Sequence, residues 1–352
     1  MILDPTSSYY GYLYKDIDLQ DVFYNPMGIN SLSLKAKETI IKARRAVSSF
    51  VGCKDPEIVF VSSSTEANNT IIKGANIYNK NKTILTTQLE HISILHPINT
   101  LAKEGFEVIY MPVDSYGDFE YDYIPDNLGF VSVGAVCRET SQKRYIERFC
   151  KLLREKNEEI FIHIDAWGLL YIDFDISLVD AISIDAAFLG AIPGVSAFYI
   201  KRGKKIKPLI EGGMQERGLR AGEQSTVGIK TFKNVLEYLN ENKPQIEEFI
   251  RLASTYIKEN LRLRPLFKNN ALGIFSYEIP KGSLEKLVVI MEKKGFYLNS
   301  SSPCMGTNTQ KEEILRNILG MAGDNILFRI PPLFSFDYKS FVEAINSVSE
   351  QL

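Results

Sequence analysis

The chain has 352 residues, of which 45% are hydrophobic and 24% are charged, and this composition excludes disordered, collagen-like and low-complexity classes. The formal net charge of -2 provides no basic surface for nucleic acid or for an anionic membrane, so neither partner is expected. Because the sequence has no apolar run of about 18 residues and no basic-then-apolar leader, we expect a cytoplasmic protein without a transmembrane helix or signal peptide.

Strand and helix patterns alternate over the first two thirds of the chain. The predicted helices cover residues 34–51, 65–78 and 146–157, with a further helix ending near 104. Strands are predicted within 57–64 and at 83–88, 106–113, 129–136, 160–165, 186–190 and 196–201. Because most of these strands are continuous apolar runs, they predict a mostly parallel sheet between helices, in a large α/β domain over residues 15–224.

The pattern changes from about residue 225 onwards. A long amphipathic helix is predicted over 231–261, and shorter strands and helices follow it to the C-terminus. This last third is predicted to form a smaller α+β domain, residues 225–352, with the N-terminal segment 1–14 packing near it. The expected fold class is therefore α/β with two unequal domains.

Hydroxyl-bearing residues follow the first predicted strand, in the segment 62–66. Backbone N–H groups at a helix N-terminus, with hydroxyls beside them, form an anion site, and ligands of α/β sheets dock beyond the carboxyl ends of the strands. The alternative is an ordinary helix N-cap, and the segment alone favours that alternative.

Two titratable residues lie at comparable places in the pattern. His91 follows a strand, although a lone histidine is more often structural. Asp165 closes the strand 160–165, so its carboxylate would point into the crevice beyond the sheet, where it could hold a ring nitrogen or a metal ion. The three histidines form no HxxxH spacing, so no metal site is predicted. The glycine-rich segment 211–223 is either a ligand-binding loop or an interface loop.

The four cysteines lie far apart and form no CxxC pair, which predicts reduced thiols. Cys304 lies in a polar loop and is expected to be accessible, as a reactive thiol must be. By contrast, Cys150 lies in the apolar stripe of a predicted helix, and Cys53 is expected to be structural as well.

Taken together, the order and spacing of these segments resemble the class V aminotransferase family, and most nearly its NifS-like cysteine desulfurases. The matching segments are SSSTEANNTIIKGA, LEH, HIDA, ERGLRAGE, the SSSPC loop and RNILGM, which begin at residues 62, 89, 163, 216, 300 and 316. The resemblance implies a pyridoxal phosphate (PLP) transferase of fold type I. It also implies a homodimer, and a partner protein that accepts sulfur.

The resemblance assigns a role to each matching residue. Thr65 resembles the threonine that binds the PLP phosphate, and His91 the histidine that stacks on the ring. Asp165 resembles the acid that pairs with the pyridine nitrogen. Cys304 resembles the cysteine that carries the persulfide. Arg329 resembles the arginine that holds the substrate carboxylate, with a register uncertain by one position.

The family's Schiff-base lysine has no counterpart in this chain. The Ser-x-His-Lys segment of the family aligns with residues 185–188, which places Ala187 at the histidine and Phe188 at the lysine. Lys201, Lys204 and Lys205 lie beyond the next strand and match a different basic stretch. A covalent PLP aldimine is therefore not expected, and the cofactor is either absent or held noncovalently.

Further departures concern the phosphate and the active-site wall. Asp185 stands at a phosphate-binding serine, and Glu223 stands at the threonine that the partner subunit lends to the phosphate. Two unit charges about 4 Å apart interact by roughly 4 kcal/mol at an effective dielectric of about 20, so two carboxylates would repel a phosphate. Arg138 replaces an asparagine of the wall. The segment after Asp165 is about three residues shorter and brings in Trp167.

Three functions remain open from the sequence. The favoured one is a desulfurase homologue without standard PLP-lysine chemistry, which serves as a scaffold or as a persulfide relay through Cys304. The second is a PLP-dependent cysteine desulfurase, or a related lyase or transferase, that holds its cofactor noncovalently. The third is a regulatory protein that binds another small molecule. Cys304 is either functional or a remnant of ancestry.

Overall fold

The computed structural model describes residues 3, 24–300, 313 and 316–349. A seven-stranded sheet occupies the first part of the chain, in the order β1-β7-β6-β5-β4-β2-β3. Its strands are β1 Ile58–Val61, β2 Thr83–Thr86, β3 Glu107–Tyr110, β4 Phe130–Gly134, β5 Phe161–Asp165, β6 Ala181–Ile184 and β7 Ser196–Ile200. Strands β2 to β6 pair in parallel, and β7 is antiparallel to both of its neighbours.

Helices cover both faces of this sheet, as the continuous apolar strands predict. Alternate residues of β1 belong to two separate buried hydrophobic clusters. Phe60 is part of one cluster, and Val59 and Val61 are part of the other. The helices up to β7 are α1 Ser31–Val51, α2 Ser64–Asn76, α3 Ile92–Lys103, α4 Ile146–Lys156 and the short α5 Ala186–Leu189. The α/β class with a mostly parallel sheet is thus confirmed.

One predicted strand is a helix. Residues 186–190 form α5 and its end instead of a strand, and the strand of that region is β6, one segment earlier. Asp185 caps the helix by accepting the N–H of Phe188, and Gly190 ends it with a φ of 115°, a left-handed conformation that favours glycine. The apolar run 186–190 is therefore buried because a helix turn is packed there.

The long helix predicted over 231–261 is also wrong, because the chain forms two helices there, α6 Thr226–Glu241 and α7 Lys243–Asn260. They are separated at Asn242, whose side chain donates to the Tyr238 carbonyl. Pro244 in the first turn of α7 has no N–H to continue the ladder of α6. Helix α6 packs along α1 of the first sheet.

A second, four-stranded sheet follows α7, in the order β10-β11-β9-β8 and entirely antiparallel. Its elements are β8 Arg264–Pro265, β9 Ile274–Ile279, α8 Leu284–Lys293, β10 Asn299–Ser300, β11 Asp324–Arg329 and α9 Tyr338–Ser349. Leu3 forms backbone hydrogen bonds with Tyr297 and with Arg329 of β11.

The domain limits 15–224 and 225–352 remain a prediction. Within the described ranges, no helix is long and apolar enough to cross a membrane.

Candidate functional site

The candidate site lies at the carboxyl edge of the large sheet, where the parallel strands β4, β5 and β6 end side by side. Asp165 is the last residue of β5 and is only 2% exposed. Asp185 directly follows β6 and begins α5. Because ligands of α/β proteins dock beyond this edge, the chemistry of these strand ends decides what the crevice can hold.

The Asp165 carboxyl group is fixed by two donors. The backbone N–H of Trp167 donates to Oδ1 at 3.0 Å, and Asn68 Nδ2 donates to Oδ2 at 3.2 Å. Burial raises the pKa of the Asp165 carboxyl, while the guanidinium of Arg138 acts to lower it. The acid that the sequence predicts is therefore in place, and it is held by the protein itself.

Asn68 extends this contact to His91. Its Nδ2 also lies 2.8 Å from Ser93 Oγ, which in turn lies 2.7 Å from His91 Nδ1. The Ser93 backbone N–H donates to the same Nδ1, so the neutral ring carries its proton on Nε2. Asp165 and His91 are thus joined by a four-residue hydrogen-bond chain, which we call the polar chain.

Neither Asn68 nor Ser93 was identified from the sequence. Asn68 is completely buried, and it stands beside Ala67, Ile71 and Ile72 on the face of α2 that packs on the sheet. A polar residue within an apolar helix stripe needs a polar partner inside the protein. That is the signal that could have revealed it.

Phe188, the residue that the sequence resemblance aligns with the lysine, is buried. The residue is 5% exposed, and its ring centroid lies 5.6 Å from that of Trp167. Arg329 Cζ lies 5.2 Å from the Phe188 ring centroid, and Arg329 Nη1 donates to the Phe188 carbonyl. Arg329, from the second sheet, therefore reaches the crevice and binds protein groups there.

No lysine of the neighbouring basic stretch approaches this position. Lys201 Nζ donates to the Ser177 carbonyl, and Lys204 Nζ pairs with Asp180 at 3.1 Å. Both acceptors precede β6, so these lysines lie at the amino edge of the sheet, opposite the crevice. Lys205 is exposed to solvent.

Arg138 packs on the ring of Trp167. Its Cζ lies 4.1 Å from the Trp167 ring centroid, a cation–π distance. Arg138, Trp167, Phe188 and Arg329 contact one another in this order, with the two rings tilted by 54°, and we call this row of contacts the ring stack. It runs from the end of β4 to the second sheet, and its two aromatic members are buried.

The Asp185 carboxylate accepts hydrogen bonds from donors at the start of two helices. Its Oδ1 accepts the N–H of Phe188 at 3.0 Å, and its Oδ2 accepts Ser64 Oγ at 2.9 Å. Ser64 is the first residue of α2, and Thr65, the predicted phosphate ligand, follows it with an exposed side chain. The Asp185 carboxylate therefore lies at a place where a bound phosphate would need hydrogen-bond donors.

A second carboxylate, that of Glu66, lies in the first turn of α2. Glu66 accepts the N–H and Oγ of Ser62, and it pairs with Arg220 Nε at 3.0 Å. Burial acts to raise the pKa of the Glu66 carboxyl, but the Ser62 bonds and Arg220 outweigh it, so the pKa lies below its ordinary range. Arg220 also donates to the Glu223 carbonyl, and Glu223 itself is exposed.

The segment 211–223 is anchored to the large sheet and to α1 through Glu216. Glu216 is 4% exposed and binds Arg44 with both carboxylate oxygens, at 2.7 and 2.8 Å. It also accepts the N–H of Phe60 at 3.0 Å. Glu216 and Arg217 have φ values of 46° and 59°, and the buried pairing holds this left-handed turn.

His163 is buried in the middle of β5, between Ser132 and Ser183, each 2.9 Å from a ring nitrogen. Burial lowers its pKa to about 3, so the ring is neutral at physiological pH. Both ring hydrogen bonds are with strand residues, which makes His163 a packing residue of the sheet.

The cysteines fall into two groups. Cys304, the predicted persulfide residue, lies outside the described residues. Cys53, Cys137 and Cys150 are free thiols that are half-buried or buried, and burial raises the pKa of both Cys53 and Cys150 to about 12. None of these three thiols has the environment of a reactive cysteine.

The residues present do not fit covalently bound PLP. The residue that the resemblance aligns with the lysine is a buried phenylalanine, and the Asp185 carboxylate accepts the hydroxyl of Ser64 at the start of α2. Among the described residues, no cluster of three or more histidine, cysteine or acidic side chains could hold a metal ion.

Comparisons with known proteins agree with this architecture. The model of the family "Aminotransferase class-V" matches residues 19–323. The chain is 33% identical to "Cysteine desulfurase IscS" from Clostridium botulinum, over 84% of this chain and 79% of that protein. It is 30% identical to the protein of the same description from Dictyoglomus turgidum, over 85% and 80% of the two chains. A solved structure described as "NIFS-LIKE PROTEIN" superposes with a TM-score of 0.83 at 24% identity, over 100% and 98% of the two chains.

Proposed function

The chain belongs to the class V aminotransferase family, and we propose that it acts in sulfur transfer without the lysine-based PLP chemistry of its relatives. It serves as a cysteine-desulfurase-like scaffold or persulfide relay, as a homodimer that works with a sulfur-accepting partner protein. The observation that carries this proposal is Phe188, which is buried in the ring stack and which the sequence resemblance aligns with the Schiff-base lysine.

Cys304 is the group that would carry the sulfur in the relay. Its thiolate attacks the terminal sulfur of a donor persulfide, the S–S bond of the donor breaks, and the donor thiolate leaves. The product is a persulfide on Cys304, formed without any net oxidation. Cys53 and Cys150 are poor competitors for this step, because burial of part or all of each thiol raises its pKa to about 12 and keeps it protonated.

A PLP titration of the purified wild-type protein tests the loss of cofactor chemistry. Visible absorbance follows binding, and sulfide and alanine are assayed after addition of cysteine. We expect no saturable PLP binding and no turnover. Saturable binding accompanied by sulfide release would contradict the proposal and establish the enzyme alternative.

The relay is tested by loading with a persulfide donor, namely an active cysteine desulfurase supplied with cysteine. We expect one added sulfur atom by intact mass, which is lost in Cys304→Ser and retained in the control Cys53→Ser. Equal loading of Cys304→Ser would reject the relay and leave the scaffold role.

The alternative is a desulfurase or related enzyme with noncovalent PLP. The polar chain favours it, because Asp165 and His91 stand together at the strand ends although no lysine is present. A substrate amine would then have to react with free PLP in the crevice, against the carboxylate of Asp185. The same titration separates this function from the first.

A further inference from the structure

We propose that Arg138 is the carboxylate-binding residue of the crevice, and that the small molecule it binds is a thiol or persulfide that carries a carboxylate group. The inference rests on the proposed function, because a relay needs a sulfur donor, and it names the chemical class of small donor that the crevice would accept. It gives a role to a residue that replaces an asparagine of the family's active-site wall.

Arg138 differs from other arginines that are withdrawn from solvent. Four of those arginines bind carboxylates of the protein itself, at nitrogen–oxygen distances between 2.7 and 3.0 Å. The pairs are Arg44–Glu216, Arg144–Glu90, Arg154–Asp180 and Arg220–Glu66. Arg138 is also half-buried, but no oxygen atom of the described residues accepts a hydrogen bond from its guanidinium. Its donors are therefore open to an anion.

The Trp167 ring supports Arg138 without occupying these donors. Arg138 Cζ lies 4.1 Å from the ring centroid, and Trp167 itself is only 2% exposed. The buried ring is a fixed support, and the cation–π contact favours the guanidinium upon it. Because this contact is made to the ring face, the five N–H groups still require oxygen acceptors. Their planar fork matches the two oxygens of a carboxylate.

Arg329, which the sequence resemblance assigns to the substrate carboxylate, is in a different situation. It is 2% exposed, its Cζ lies 5.2 Å from the Phe188 ring centroid, and its Nη1 donates to the Phe188 carbonyl. A ligand would have to displace buried protein groups to reach this guanidinium. Arg138, at the other end of the ring stack, is half-buried and requires no such change. The geometry therefore favours Arg138 as the carboxylate receptor.

The neighbouring acid decides which anion the crevice can take. Asp185 follows β6 at the same edge of the sheet, and it already accepts the Ser64 hydroxyl at 2.9 Å. A phosphate dianion needs several donors, and a carboxylate repels it twice as strongly as it repels a single negative charge. A singly charged carboxylate needs only the fork of one guanidinium. The crevice is therefore better suited to a small carboxylate than to a phosphate.

The experiment uses Trp167, the only tryptophan of the chain, as a reporter beside Arg138. The full-length wild-type protein is titrated without PLP, under reducing conditions and at constant ionic strength. The two ligands are 3-mercaptopropionate, which carries a thiol and a carboxylate, and cysteamine, which carries a thiol and an amine. We expect a saturable change of Trp167 emission with 3-mercaptopropionate and none with cysteamine. Calorimetric titration measures the same affinities without relying on the ring.

Arg138→Gln should weaken the binding of 3-mercaptopropionate by about tenfold or more, because a charge-assisted bidentate contact is lost. Arg138→Lys keeps the charge but not the fork, and should weaken binding by a smaller factor. Arg148→Gln is the matched control and should bind as the wild type does. Arg148 also lies over a ring, that of Tyr121 at 4.6 Å, but it is exposed on α4. Circular dichroism checks that each variant is folded.

An unchanged affinity in the folded Arg138 variants would overturn the inference, as would an absence of saturable binding or equal binding of cysteamine. Tighter binding of inorganic phosphate than of 3-mercaptopropionate would also overturn it. So would a loss of binding in Arg329→Gln while Arg138→Gln binds fully. The proposed relay fails by a separate result, equal sulfur loading of Cys304→Ser, which does not depend on the carboxylate affinity. The two failures are thus distinguishable.

Discussion

The two flanks of the crevice differ in chemistry although both begin at the ends of neighbouring strands. On one flank, the polar chain joins Asp165 to His91 through Asn68 and Ser93. On the other flank, Phe188 and Trp167 fill the space with buried rings, and Asp185 accepts hydrogen bonds from Ser64 and Phe188. Two neighbouring strand ends can therefore differ in character, one carrying a polar network and the other packed aromatic rings.

The largest change in stability is expected on the flank that Phe188 and Trp167 fill, and it tests whether this flank is packed like a protein core. Phe188→Ala removes a buried ring that contacts Trp167 and Arg329, and should lower the free energy of unfolding by about 3–5 kcal/mol. Phe334→Ala is the control, because Phe334 is 49% exposed and its ring meets that of Phe249 edge-on, a contact worth about 1 kcal/mol. Denaturant unfolding measures both, and equal losses would mean that the crevice is not filled by Phe188.

His163 in the sheet and Asp165 at the crevice should change the free energy of unfolding in opposite directions at acid pH. His163 has a pKa of about 3 when folded and about 6.5 when unfolded, so the unfolded chain binds the extra proton and stability falls as the pH drops below 6.5. The loss from this residue should reach about 2 kcal/mol at about pH 5, since each pKa unit corresponds to about 1.4 kcal/mol.

His163→Gln should remove this slope, whereas His96→Gln, at an exposed position of α3, should keep it. Urea unfolding at several pH values measures the slopes. Asp165 contributes with the opposite sign, because its pKa is raised in the folded state and its neutral form is favoured there. A slope that persists in His163→Gln would place the acid sensitivity elsewhere.

On the polar flank, Asn68→Ala should cost about 1–3 kcal/mol, because Asp165 and Ser93 lose a buried donor. Asn69→Ala is the matched control: its neighbouring amide donates only to the Thr65 carbonyl on the outer side of α2, and its loss should cost less than about 0.5 kcal/mol. Thermal unfolding compares them. Similar costs would show that the polar chain adds nothing beyond helix propensity.

The smallest effect concerns Asp185. Asp185→Ala removes the cap of α5 and should cost about 1 kcal/mol, whereas Asp185→Ser keeps an acceptor and should stay within about 0.5 kcal/mol of the wild type. Unfolding free energies check the pair. A large loss in Asp185→Ser would mean that the carboxylate contributes through its charge rather than as a cap.

Much of the fold follows from local patterns. The continuous apolar strands predict the parallel sheet, and the strand-end position of Asp165 predicts its place at the crevice. The two errors, at 186–190 and 231–261, arose where one or two residues at a helix end decide the structure: Asp185 starts a helix, and Asn242 with Pro244 breaks one. Apolar periodicity alone does not report such local hydrogen bonds.

Residue identity along the chain is enough to recognise the family and to show that position 188 is not a lysine. What surrounds that position depends on the three-dimensional packing. It brings Arg138, Trp167, Phe188 and Arg329 from four separate segments into one stack, and it joins Asn68 to Asp165. These contacts depend on the register of strands and helices far apart in sequence, which no local pattern encodes.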